Sequence, residues 1–66
     1  MDTKEYQAKT YFSWGSLSFE PLQYLLVRQA EIDDCWVVTK ENTQESIIVS
    51  KKAFQKQLEM GRIIEK

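Results

Sequence analysis

A single cysteine, Cys35, and no histidine in 66 residues leave this chain with no means of stapling itself. An internal disulfide needs two cysteines, and a structural zinc site needs four Cys or His ligands. A domain of about 60 residues buries only about 60% of the surface its unfolded chain exposes, so scaffolds of this size usually lean on disulfides, a metal or a partner subunit. Two supports remain: a dense aromatic core, or burial against another chain. The composition suits the first, with two Trp, three Tyr and three Phe. Four of these aromatics fall in "TYFSWGSLSF", residues 10–19.

That stretch has a strand signature, with Phe12 and Trp14 on one face and Tyr11 and Ser13 on the other. Gly15-Ser16 suits a type II′ hairpin turn, in which glycine supplies the positive φ, and "LSF" at 17–19 would be the returning strand. A loop at Gly15-Ser16, with Ser18 capping a helix, is the competing reading. Residues 1–9 are polar and are expected to be a flexible N-terminal segment, leaving residues 10–66 as a single small domain.

After Pro21, "LQYLLVRQAEI" reads as a helix over about 21–32. Leu22, Leu25, Leu26 and Gln29 recur at helical spacing, and Leu, Gln, Arg and Ala are good helix formers. "CWVVT" and "SIIVS" are rich in strand formers and flank the polar "KENTQE", which predicts a β-hairpin over 35–50. Trp36 and Val38 would share one face with Ile47 and Val49. Ser50 is placed to cap a second helix, about 51–60, and Gly61 to end it. Residues 62–66 could double back as a short edge strand or pack as a tail. The expected fold class is therefore α+β: a small antiparallel sheet, built from the 35–50 hairpin and an N-terminal strand or hairpin at 10–19, against two helices.

The same residue inventory removes most chemistry. Without histidine there is no imidazole base and no Ser–His or Cys–His nucleophile pair. Two glycines cannot build a phosphate-cradling loop. Glu31, Asp33 and Asp34 lack the spacing of a calcium loop. Cys35, beside two aspartates in a strand-forming run, is expected to be a small buried hydrophobe rather than a nucleophile. No catalytic residue, cofactor, metal or small-molecule substrate is expected. Met1 is followed by the charged "DTKEYQAK", and the longest apolar run, "LLV", is far too short to span a membrane. With a lone cysteine, this points to a cytoplasmic protein.

Charge is mildly polarised. Residues 1–34 carry three Lys or Arg against six Asp or Glu, and residues 35–66 carry six against four. Lys40, Lys51, Lys52 and Lys56 are the candidate phosphate contacts. The stretch "CWVVTKENTQESIIVSKKAFQKQL" resembles in outline the wing and closing helix of small winged-helix proteins such as phage excisionases, over about a third of the chain. That resemblance implies DNA binding. Such proteins read DNA through a second helix, however, and only one helix fits between Pro21 and Asp34. The acidic sequence pI of about 5.3 also departs from a basic footprint.

The leading expectation is a small non-enzymatic protein-binding module: an accessory subunit, inhibitor or adaptor. It would act through an exposed strand edge or apolar patch, on another protein or on itself as a homodimer. Tyr11, Leu17 and Ile63 are the candidate contacts: Tyr11 and Leu17 are the apolar groups left over once Phe12, Trp14 and Phe19 fill the core, and "TYFSW" and the terminal "RII", which hold Tyr11 and Ile63, lie where sheet edges would fall. The alternative is a DNA- or RNA-binding regulator using the four lysines.

Overall fold

A computed structural model describes residues 3–66. Its strands are β1 (Lys4–Ala8), β2 (Phe12–Trp14), β3 (Leu17–Phe19), β4 (Tyr24–Gln29), β5 (Cys35–Lys40), β6 (Ser46–Ser50) and β7 (Ile63–Glu65). The one helix among the described residues is α1 (Lys51–Glu59). Five strands form one antiparallel sheet in the order β6-β5-β4-β1-β7, and β2 pairs with β3 as a separate hairpin. The protein is thus mostly antiparallel β with one short helix, which overturns the two-helix α+β expectation.

The correction centres on residues 21–32. In place of a helix, Tyr24–Gln29 form the middle strand of the sheet, bonded to β1 on one side and β5 on the other. Leu25 and Val27 point into the core, while Tyr24 and Arg28 point out. The relevant spacing was two, not three and four. Tertiary pairing decides it, since a helix here would leave one side of β1 and the inner side of β5 unpaired. Pro21 serves a turn: Gln23 N–H donates to Glu20 C=O at 3.1 Å, and Leu22 between them has φ +72°. Pro at the second position and a positive φ at the third define a type II turn.

The N-terminal segment carries β1 within it. Lys4–Ala8 pair with both β4 and β7, and Tyr6 and Ala8 are buried. Residues 1 and 2 of that segment lie outside the described residues.

Local signals placed the remaining elements. β5 and β6 pair as the 35–50 hairpin, with Trp36 opposite Val49 and Val38 opposite Ile47. Its loop, residues 41–45, includes Gln44 in the left-handed region at φ +63°. β2 and β3 pair Trp14 with Leu17 across Gly15-Ser16. Gly15 has φ +60° and Ser16 does not take a positive φ, the pattern of a II′ turn. Ser50 Oγ accepts from Ala53 N–H at 3.1 Å to start α1. The helix ends with Arg62 N–H donating to Gln57 C=O and Gly61 N–H to Leu58 C=O, a Schellman motif around Gly61 at φ +73°.

The core lies on one face of the sheet, beneath α1 and the β2–β3 hairpin. Phe54, the buried residue of α1, meets Tyr6 edge-on at 5.1 Å and stacks near Trp14 at 6.0 Å between centroids. Phe12 stacks on Phe19 at 5.2 Å. Four of the strands supply Leu25, Val27, Val38, Val49 and Ile63 beneath them. α1 carries the chain from β6 at one end of the sheet to β7 at the other, so one face is covered and the other is left bare.

Candidate interaction surface

A sheet with β6 and β7 at its ends has two edges, and they differ in kind. β7 is three residues long, ends in Glu65 and is flanked by Arg62 and Lys66. Short length and charge are the devices by which proteins discourage strand addition. β6, "SIIVS", is five residues long and carries no charge and no proline.

The hydrogen-bond phase shows which groups of β6 are unpaired. Lys40 N–H donates to Glu45 C=O at 2.8 Å, and Lys51 N–H donates to Asp34 C=O at 2.8 Å. Both pairs belong to the β5–β6 register, so Glu45, Ile47, Val49 and Lys51 turn their main-chain groups toward β5. By alternation, Ser46, Ile48 and Ser50 turn theirs outward. The Ser50 carbonyl serves α1 as its N-cap, which leaves the Ser46 and Ile48 pairs and the Ser50 N–H.

The side chains of these three residues fall on the bare face. Ser46 Oγ lies 2.8 Å from Thr39 Oγ1, and Ser50 Oγ caps the helix. Ile48 is 58% exposed. It sits opposite Val37, which is itself opposite Arg28 on β4. Tyr24 and Ile64, both partly exposed, add apolar surface toward the other edge. Cys35 is on this face too, and is half-buried rather than fully buried. On the covered face, Gly15 brings the hairpin tip up to β6: a Cβ there would lie 3.6 Å from Ile47 Cδ1.

Of the three contacts expected from sequence, only Tyr11 is on the surface, at 60% exposure; Leu17 and Ile63 are 3% and 1% exposed and belong to the core. Tyr11 stands outside any strand, so it marks no edge. Ile48 was missed because edge status depends on strand order, which no local pattern reports.

The lysines do not form one patch. Lys51, Lys52 and Lys56 lie on α1, whereas Lys40 is at the far end of β5, about 20 Å from Lys51 at roughly 3.4 Å per strand residue. Its ammonium lies 6.0 Å from the centre of the Phe19 ring. Lys52 and Lys56 are four residues apart and share a helix face.

A cleft of about 500 Å³ opens between the sheet and α1, lined by Lys4, Tyr6, Val27, Trp36 and Phe54 among others. Lys4 Nζ at its rim is 3.6 Å from Glu65 Oε2. The Tyr6 phenol is pushed above its ordinary pKa, first by burial and then by the Glu65 carboxylate. Trp36 Nε1 is buried without a hydrogen-bond partner. Among the described residues no three His, Cys, Asp or Glu side chains gather to hold a metal, and no helix is long and apolar enough to cross a membrane.

No protein-family model matches the chain, and no curated protein or solved structure shows significant similarity to it.

Proposed function

We propose that this chain is a small non-enzymatic protein-binding module, an accessory subunit, inhibitor or adaptor that takes an extended strand onto β6. The observation that carries this reading is the contrast between the two edges of one sheet. β7 is short and charged; β6 is longer, neutral, unpaired on its outer side, and bordered by the exposed Ile48. Strand addition draws affinity from main-chain hydrogen bonds and selectivity from alternate side chains, and both are available here. The absence of histidine from the sequence, and of a cleft lined by paired carboxylates among the described residues, supports a binding role over catalysis. The lone Cys35 fits a reducing, cytoplasmic setting.

Selection from a library of extended peptides tests the reading. Peptides alternating apolar and polar residues should be enriched, with Kd on the order of 10–100 µM for so short an edge. Ile48→Pro should abolish their binding while leaving the fold intact, because the Ile48 N–H points away from β5 and proline is tolerated at such edge positions. Enriched peptides that bind Ile48→Pro equally well would overturn the proposal, as would a selection yielding none.

The nucleic-acid alternative retains Lys51, Lys52 and Lys56. It requires affinity that falls steeply with salt and is lost when all three become Glu. Against it stand the formal net charge of −1 and the lack of a second helix among the described residues.

A further inference from the structure

We infer that the strand β6 accepts is β6 of a second copy, paired antiparallel about a two-fold axis through Ile48. The inference rests on the reading of β6 as a docking edge and adds its occupant.

The sequence around Ile48 is close to a palindrome: Glu45-Ser46-Ile47-Ile48-Val49-Ser50-Lys51. Antiparallel pairing centred on Ile48 sets Ser46 against Ser50 of the copy, Ile47 against Val49, and Ile48 against itself. It also sets Glu45 against Lys51, twice, because a two-fold interface repeats every contact. Opposite charges facing across strands stabilise a pairing, and like charges destabilise it. Glu45 and Lys51 are both exposed, and neither is in an ion pair among the described residues. Thr43 Oγ1 donates to Glu45 Oε1 at 3.1 Å, leaving Oε2 for another donor.

Alternatives fit less well. Parallel pairing in register sets Glu45 beside Glu45 and Lys51 beside Lys51. Sliding the antiparallel strands by two residues keeps the hydrogen-bond phase but puts Lys51 opposite Ile47 and separates it from Glu45. Sliding by one turns inward-bonded residues to the interface. Only the pairing centred on Ile48 matches charge, hydrogen-bond phase and side-chain face together. It makes about four main-chain hydrogen bonds, two between the Ile48 residues and two from Ser50 N–H to Ser46 C=O. On the bare face Ile48 packs on its copy; on the covered face Ile47, only half-buried in the single chain, gains Val49 as a neighbour. The result is one continuous ten-stranded sheet.

An edge of five residues buries less than the 1,200–2,000 Å² of a standard interface, so the dimer is weak, with Kd on the order of 100 µM. Sedimentation from about 10 µM to 1 mM reads it directly. Glu45→Lys and Lys51→Glu should each weaken dimerisation roughly tenfold, since two attractive contacts become two repulsive ones. An equimolar mixture of the two variants should restore it, because each variant carries one sign at both positions and the two signs then meet. Circular dichroism on each variant confirms that it folds. A chain that stays monomeric at 1 mM refutes the dimer, and peptides still captured through β6 would then leave the docking edge standing. Dimerisation unchanged in Ile48→Pro, or a mixture no tighter than its components, refutes it as well.

Discussion

Phe54→Ala should come close to unfolding the protein. Phe54 is the buried residue of α1, with only 5% of its surface accessible, and its ring meets Tyr6, Trp14 and Trp36 at 5.1, 6.0 and 6.2 Å. Truncating a buried Phe costs about 3–5 kcal/mol, and each lost aromatic pairing is worth about 0.5–1.5 kcal/mol within or beyond that figure. At roughly 0.05–0.15 kcal/mol per residue, a chain of this size has only about 3–10 kcal/mol to lose. No other side chain of the helix is fully buried, since Ala53 and Gln57 are half-buried and the other positions face solvent, so the caps at Ser50 and Gly61 are left to hold its ends. Nine residues are also too few for a helix to persist undocked in water. Urea unfolding followed by tryptophan fluorescence and far-ultraviolet circular dichroism measures the loss, with Leu58→Ala as the exposed control expected to stay within about 1 kcal/mol. A Phe54→Ala protein within 1 kcal/mol of the parent, with its helical signal intact, would show that the aromatic cluster is not what joins helix to sheet.

Other positions answer to simpler measurements. Leu22 is 71% exposed and held at φ +72°, so Leu22→Gly should raise stability by about 0.5–1 kcal/mol, read as a melting temperature several degrees higher. Because the Tyr6 phenol has a raised pKa in the folded state, stability should be level up to about pH 10 and then fall as pH rises through the folded pKa, where the unfolded chain ionises first; Tyr6→Phe should remove that slope in alkaline melting curves. Trp36→Phe removes a buried indole N–H that has no partner, so calorimetry should find it costing less than about 1 kcal/mol despite the lost ring area.

Much of this fold was readable because its signals are local. The Gly15-Ser16 turn, the Ser50 cap and the Gly61 terminator each depend on a few neighbouring residues, and alternation in "CWVVT" and "SIIVS" matched the register that forms. Residues 22–32 misled because Leu, Gln, Arg and Ala favour a helix and the apolar positions are dense enough to fit two periods. What decides between them is non-local: β1 and β5 both need the strand that lies between them. β1 was missed for a related reason. Its inward side chains are only Tyr6 and Ala8, set among Lys, Glu and Gln, and their burial depends on strands from distant parts of the chain. The interaction edge was invisible for the same cause, since the ends of a sheet are a property of its strand order.

Within β6, every residue except Ile48 has a task the fold explains. Ile47 and Val49 face the core, Ser46 bonds Thr39, and Ser50 caps α1. Ile48 alone puts a branched apolar side chain into solvent at the centre of an open edge, the position where a lysine would protect against strand addition. Stability alone therefore does not account for it, and Ile48→Lys separates the two explanations. Val37, its cross-strand neighbour, is buried with Ile48 in place, and the methylenes of a lysine can lie over it as the isoleucine does, so at low micromolar concentration, where the chain is monomeric, the substitution should change unfolding free energy by no more than about 0.5 kcal/mol. At millimolar concentration the same variant should fail to associate, because two ammonium groups would meet on the two-fold axis. A loss of 2 kcal/mol or more in the dilute monomer would mean that Ile48 supports the sheet itself, and the case for β6 as a docking edge would lose its central residue.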